Sequence, residues 1–458
     1  MTATGESTSS TDGTAAGTGP SLNRAIGRLA LVGLVLNSVI GSSVFGLPSV
    51  LGAQLGSKSP WAWVMAALGM ALVVACFAEV SSRFRSAGGA YLYARVAFGR
   101  LAGIEMAWLT YLVRLTAAAT NANLFVIYLA QFWPGANGPL ASPVILALLL
   151  LPLAAANYRG VSAGIGVSNG FIVAKLIPLA LFMVTGVAFM LSHPPALAVV
   201  PPPVGPGAWL HAILLLVFAY GGFEAALIPL GEAKNPRRDA PVALFAMLGI
   251  CALIYTLVQV LVVYTLADPG ASDRPLAAAA QVVLGPVGGV LLAAGALISV
   301  YGYLAGAMLN VPRLTYAMAA QGDLAARFAT VHPRFRTPHI SIVLFALLTW
   351  LFAARSNFLQ NLTLSAVSRL ITYAAVCFAL LVFRRREATN PDGLEPAWFR
   401  VPGGTVVALL GIAFSLALTV RMSWREVGVL AATLAVGGIH WYLMKGSGER
   451  GAGSGGKR

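Results

Sequence analysis

Four ionisable side chains stand inside stretches otherwise built of Leu, Val, Ala, Phe and Gly: Arg114, Lys175, Glu224 and Arg369. A charge in such surroundings is expensive and has to be matched, so each marks a functional hypothesis. Burial disfavours the charged form of a lysine, which suits Lys175 to take up and release a proton. Arginine keeps its charge, so Arg114 calls for an anion or a helix carbonyl end. Its candidate partners are Glu224 and a carboxylate carried by a solute, and the second would favour acidic or otherwise anionic solutes. Glu224 reads either as a proton carrier or as the partner of Arg114. Arg369 reads as a tie between a helix and backbone carbonyls. Glu79, near the end of its stretch, reads as an anchor for a loop.

A second kind of chemistry comes from the backbone. The run Asn37-Ser-Val-Ile-Gly-Ser-Ser-Val-Phe-Gly-Leu-Pro48 puts Gly41, Ser42 and Ser43 near the middle of an apolar stretch. Glycine and serine are poor helix formers, and serine hydroxyls compete for backbone hydrogen bonds. A helix broken there turns the amides of one half and the carbonyls of the other toward one point, a suitable cradle for a zwitterion. The plainer alternative is a kinked, closely packed membrane helix of the small-residue kind. A second weak spot, Phe218-Ala-Tyr-Gly-Gly-Phe-Glu224, lies far along the chain. Pro48 follows Gly41, and Pro229 follows Gly222, by the same interval. Matched interruptions in two halves of a membrane protein point to an inverted repeat with a midplane site.

The elements that must hold these groups follow from composition. The chain has 458 residues, 58% hydrophobic and 10% charged. Soluble domains carry about 25% charged residues, so the class is all-α and polytopic in a membrane. Counting apolar stretches of spanning length gives twelve, at about 26–55, 61–82, 99–131, 142–157, 163–191, 208–232, 239–267, 284–318, 338–354, 361–383, 404–421 and 426–444. The net charge of +15 would suggest nucleic acid in a soluble protein, but here the basic residues fall in alternate short loops. Arg83, Arg85, Arg95 and Arg100, then Lys234, Arg237 and Arg238, then Arg384, Arg385 and Arg386 share one side. Lys58, Arg274, Arg355, Arg421 and Arg425 are sparse on the other. The bias places both termini in the cytoplasm of a multi-pass cell-membrane protein. Residues 1–20 and 446–458 read as disordered tails around a transmembrane domain at 21–445. Neither end reads as a cleavable signal peptide.

Catalytic chemistry finds no support. The sequence has no HExxH, no GxGD and no nucleotide-binding loop. Its five histidines lie near span ends or in loops. Cys76, Cys251 and Cys377 show neither disulfide nor zinc spacing, so no metal and no cofactor is expected. The expected partners are the bilayer and a small solute, with no nucleic acid.

Several runs match one family together and in order. They are Ile40-Gly-Ser-Ser-Val-Phe45, Glu79-Val-Ser-Ser, Gly88-Gly-Ala-Tyr91, and Phe218 to Glu224 continuing to Glu232 and Asn235-Pro236. Pro312-Arg-Leu-Thr-Tyr-Ala-Met318 and His332-Pro-Arg-Phe-Arg-Thr-Pro338 follow. On these the chain resembles the amino acid–polyamine–organocation permeases, which have the LeuT-type fold. The resemblance implies two inverted five-helix repeats, about 26–191 and 208–383, with two further helices at about 404–444 and with helices one and six discontinuous. It implies alternating-access transport of an amino acid or related amine, by symport or exchange. The alternatives are an amino acid/polyamine antiporter and a transporter-like sensor. Carried over, the N–H groups of Ser42, Ser43 and Val44, beside Gly41, would bind the substrate carboxylate. Carbonyls near Ile40, Phe218 and Ala219 would take the ammonium, and Tyr220 and Gly222 would complete the sixth-helix break. Phe218 stands where the family places an aromatic gate. Lys175 stands where sodium-coupled relatives bind an ion, which points to proton coupling. A fixed ammonium in place of a structural sodium, or a lysine reaching outward, remains the alternative. The chain departs from the family pattern at Ser43, where a glycine is usual, at Gln321-Gly-Asp323, and at Arg85.

Overall fold

The computed structural model describes residues 27–84, 88–160, 165–196, 204–227, 230, 233–320, 322–389 and 395–452. The expected tail at 1–20, Arg85, Gln321, Glu232 and Pro229 lie outside these, so the proline half of the matched spacing has only Pro48 to show. Helices make up the fold: α1 Arg28–Val39, α2 Ser43–Leu55, α3 Ser59–Ser81, α4 Gly89–Phe98, α5 Arg100–Leu129, α6 Ala141–Tyr158, α7 Ile165–Ser192 and α8 Pro206–Tyr220. They continue with α9 Phe223–Ala226, α10 Pro236–Thr265, α11 Pro275–Leu284, α12 Pro286–Ala320, α13 His339–Arg355, α14 Phe358–Thr389, α15 Gly404–Thr419 and α16 Trp424–Ala452. In lipid a backbone satisfies its polar groups internally, and a helix does so within one segment. Eight helical stretches among the described residues are long and apolar enough to cross a membrane, and shorter apolar helices accompany them.

The outward faces bear this out. Val144, Leu148 and Leu151 form an exposed stripe on α6, and Val173, Ile177, Leu181 and Val184 form one on α7. Spacings of three and four put each set on one helix face. A stripe of bare aliphatic side chains is stable against hydrocarbon, not water. The chain is a multi-pass membrane protein.

Among the described residues, each apolar stretch counted from the sequence contains helix. Two helices arise where the count had only loops. The first is α4, with Tyr91, Tyr93 and Arg95 in ten residues, too short and polar to register as a span. The second is α11, which Gly285 (φ +71°) ends just before Pro286 opens α12. At the far end α16 runs on to Ala452, into the stretch read from composition as a tail.

The interior is built around α5, which packs on α14, α12, α4, α13 and α16. Beside it α1 packs on α10 and α9, α2 on α8, and α8 on α14 and α3. Buried polar bonds join these layers. Trp63 Nε1 donates to Gln259 Oε1 (3.0 Å), and Gln259 Nε2 donates to the Pro48 carbonyl (3.2 Å) and to Ser59 Oγ (2.8 Å). Tyr128 Oη donates to the Phe45 carbonyl (2.8 Å), tying α5 to α2.

One end of the bundle is laced with ion pairs. Glu79, fully buried, accepts from Arg384 (2.8 and 2.6 Å) and from the Val401 N–H (2.8 Å), the anchoring role expected of it. Asp323 accepts from Tyr91 (2.5 Å), Arg95 (2.7 Å) and Arg100 (2.9 Å), holding α4 against the end of α12. Arg28 reaches Asp239 (2.8 Å) between the starts of α1 and α10.

Candidate functional site

The first break lies between α1 and α2. Ile40 closes the last turn of α1 through its N–H to the Leu36 carbonyl (2.9 Å), then turns extended at ψ 95°. Gly41 and Ser42 follow, and α2 starts at Ser43. The break leaves α1 carbonyls without helical partners and α2 amides likewise. Side chains from other helices meet the carbonyls. Lys175 Nζ, from α7, donates to the Ile40 carbonyl (2.6 Å) and the Asn37 carbonyl (3.1 Å). Tyr255 Oη, from α10, donates to the Val39 carbonyl (3.3 Å). Lys175 is 2% exposed, which places its Nζ inside the bundle and not at the outer surface.

The second break follows α8. Gly221 is extended, and Gly222 takes φ +120°, a region that side chains oppose. A Cβ on Gly222 would stand 2.3 Å from the Ser38 carbonyl oxygen, so glycine is what lets this break lie directly on the end of α1. Glu224 accepts from the Gly222 N–H (2.9 Å). The Phe218 carbonyl, at the end of α8, accepts from Arg369 Nη1 (2.9 Å), and the same guanidinium lies 5.2 Å from the Phe218 ring centre.

Beside the second break sits a group of charged side chains. Glu224 Oε1 is 3.4 Å from Arg114 Nη2 on α5 and 3.4 Å from Arg369 Nε on α14. Tyr373 Oη donates to the other carboxylate oxygen (3.4 Å). A carboxylate and two guanidiniums thus share a buried centre, with Glu224 5% and Arg369 2% exposed.

A small cavity touches both breaks. Its wall holds Ser38, Val39, Gly41, Ser42 and Ser43 from the first, Phe218 and Gly221 from the second, and Asn121, Tyr303 and Arg369 from α5, α12 and α14. Its volume is about 10 Å³, room for about one water. Ser42 Oγ and Asn121 Oδ1 are buried without a hydrogen-bond partner.

The residues singled out from the sequence thus gather from distant parts of the chain. Gly41, Ser42, Ser43 and Phe218 line the cavity. Ile40 is buried beside them at the break, as are Val44 on the first turn of α2 and Ala219 next to Phe218. Gly222 forms the contact between the breaks. Tyr220 turns away: its hydroxyl donates to the Trp63 carbonyl (3.0 Å). Arg114 pairs with Glu224, one of the partners weighed for it. Asn123, two residues beyond Asn121 on α5, bonds elsewhere, donating to the Ala353 carbonyl (2.8 Å) and accepting from Asn361 (2.9 Å). The arginine on the cavity wall is Arg369, expected only to tie a helix to carbonyls. It does tie one, yet faces the cavity as well. Tyr303 carried no signal at all, being one tyrosine on a long apolar helix.

A family model described as "Amino acid permease" matches residues 26–442. The chain is 28% identical over 423 residues to the methylthioribose transporter of Bacillus subtilis, covering 86% of this chain and 88% of the relative. It is 27% identical over 433 residues to the serine/threonine exchanger SteT of the same organism, covering 93% and 97%. It is 23% identical over 450 residues to the B. subtilis branched-chain amino acid permease BcaP, covering 92% and 93%.

Proposed function

The chain belongs to the amino acid permease family, and from that premise we propose that it is a proton-coupled secondary transporter of amino acids working by alternating access. Its family and these relatives are transporters, not enzymes. In this reading the helices make twelve crossings in two inverted sets of five with two added. The broken pair α1/α2 counts as the first crossing and α8/α9 as the sixth. The protein sits in the cytoplasmic membrane with both termini inside.

The observation that carries the reading is the meeting of the two breaks at one small cavity, with the Lys175 Nζ bonded to the first. The substrate carboxylate binds the amides of Ser42, Ser43 and Val44 at the start of α2, where the helix dipole favours negative charge. Phe218 and Gly221 form the opposite wall, with Ile40, Ala219 and Gly222 shaping the backbone around it, and Phe218 acts as the gate. The proton is assigned to Lys175 rather than Glu224, because both arginines already engage Glu224. When Lys175 gives up its proton, its grip on the Ile40 and Asn37 carbonyls weakens and the end of α1 is released.

The solute is not chosen by the comparisons, since the relatives' names span a thio-sugar, hydroxy amino acids and branched-chain amino acids. Proteoliposome uptake and counterflow with each of the twenty amino acids test the proposal. Saturable uptake driven by an inward proton gradient is expected, and Lys175→Ala removes the drive while exchange persists. Uptake by Lys175→Ala that still follows the gradient refutes the coupling role. Flux without saturation or counterflow refutes the carrier mechanism.

A further inference from the structure

We infer that the central site selects solutes of net negative charge, acidic amino acids in particular, and that Arg369 is the residue that selects them. The inference rests on the transporter reading for its substrate class, and adds to it the sign of the cargo.

A zwitterionic amino acid needs acceptors for its ammonium, and the break carbonyls are the natural ones. Here they already serve the protein's own donors. Ile40 and Asn37 receive Lys175, Val39 receives Tyr255, and Phe218 receives Arg369. At the end of α8 a guanidinium of the chain occupies the place a substrate amine would compete for.

The charge balance points the same way. Arginine does not lose its proton in proteins. Arg114 and Arg369 face the single carboxylate of Glu224, which leaves at least one positive charge in excess whatever the state of Lys175. The other buried acids among the described residues are engaged elsewhere. Glu79 is held by Arg384 and Arg83, Asp239 by Arg28, and Asp323 by Arg95 and Arg100. A buried cation in excess is costly, and an arriving anion relieves that cost where a zwitterion leaves the sum unchanged. A cationic solute adds to it.

The cavity wall has the matching donors and one acceptor. Arg369 lines it together with Ser42 and Ser43. The α-carboxylate is placed on the α2 amides with Ser42 Oγ, which is buried without a partner. The second carboxylate is placed on Arg369, and the amine on Asn121 Oδ1, the unpartnered acceptor of the wall.

The test uses purified full-length protein. Thermal shift reports binding, and reconstituted uptake reports transport, with L-glutamate, L-aspartate, L-leucine, L-serine and L-arginine as probes. Glutamate or aspartate is expected to raise the melting temperature and to be taken up, with the neutral and basic probes weak. Arg369→Gln is expected to weaken the acidic probe by about ten- to a hundredfold, the worth of a charge-assisted hydrogen bond. Arg369→Lys is expected to restore part of that loss. Tight binding and uptake of leucine, serine or arginine, with the acidic probes inert, overturns the inference and leaves the transporter reading standing. Binding of the acidic probes without uptake or counterflow upholds the inference and overturns the transporter reading. No shift with any probe overturns the inference, as does a folded Arg369→Gln protein with unchanged affinity. The wild-type panel stands alone if that variant does not fold.

Discussion

Gly222→Ala probes the contact on which the site depends. At φ +120° an L-residue is strained by about 1–3 kcal/mol. The added methyl would also stand 2.3 Å from the Ser38 carbonyl oxygen and 3.3 Å from the Val39 Cα. Both neighbours are backbone, so no side chain can swing aside. Relief requires parting α9 from α1, and overpacking of this kind costs about 1–3 kcal/mol. The two effects sum to about 2–6 kcal/mol, a large share of a typical stability of about 5–15 kcal/mol. Thermal unfolding in detergent and uptake after reconstitution are the assays, and both are expected to fall. Gly249→Ala in α10 is the control. Nothing lies within 4 Å of its added methyl, so it is expected to be neutral or to stabilise by up to about 1 kcal/mol. A Gly222→Ala protein with unchanged melting temperature and uptake refutes the claim that the two breaks bear on each other.

Other outcomes follow from the ion pairs. Glu224→Gln strips two buried guanidiniums of their counter-ion and is expected to cost about 3–5 kcal/mol, read as lost folded yield and a lower melting temperature. Adding Arg114→Gln to it is expected to recover part of the loss, because a double-mutant cycle isolates a shared interaction. Asp323→Asn weakens the contacts to Tyr91, Arg95 and Arg100. It is expected to speed amide hydrogen exchange in α4 while leaving substrate affinity unchanged.

The breaks were legible because they arise from local chemistry. Gly41-Ser-Ser43 and Gly221-Gly222 interrupt apolar runs, and poor helix formers at membrane depth signal a break without any knowledge of neighbours. The membrane-spanning character was legible for the same reason, as a sum over composition. Arg114 and Glu224 could be named as partners because few opposite charges exist at that depth. The role of Arg369 could not be read so far. Its bond to the Phe218 carbonyl spans 151 residues of sequence. Whether it faces lipid, helix or cavity is set by the rotation of α14, which a nearly uniform apolar surface does not encode. Tyr220 failed in the reverse way. It belongs to the break motif, but two steps along a helix from Phe218 turn a side chain by about 200°, enough to send it to Trp63 instead. The helices α4 and α11 escaped because spanning length was the criterion, and neither meets it.

The bonds around the site differ in how they resist motion, and the difference singles out α1 as the movable part. On the far side of its break α2 is held by Tyr128 at Phe45 and by Gln259 at Pro48, both buried neutral bonds that nothing in the proposed cycle removes. The end of α8 is held by Arg369, whose charge is permanent. The helix α1 is held otherwise. Its N-terminal end is joined to α10 by Arg28 and Asp239, and the Arg28 side chain is 43% exposed. An ion pair open to water on one side contributes about 1 kcal/mol or less. Its C-terminal end is held by Tyr255 and by Lys175, whose ammonium carries two of the carbonyl bonds. Against α9 it rests on Gly222, a contact without a side chain. A rotation at Ile40 to Ser42, where the chain leaves the helix at an extended Ile40, would therefore carry α1 away and leave α2 in place, a hinge of the kind that takes up domain motion in a few residues. Under the proposed coupling, loss of one proton from Lys175 weakens its two carbonyl bonds and leaves the other restraints unchanged. Proton release and the opening of the cavity wall then become one event at one helix end.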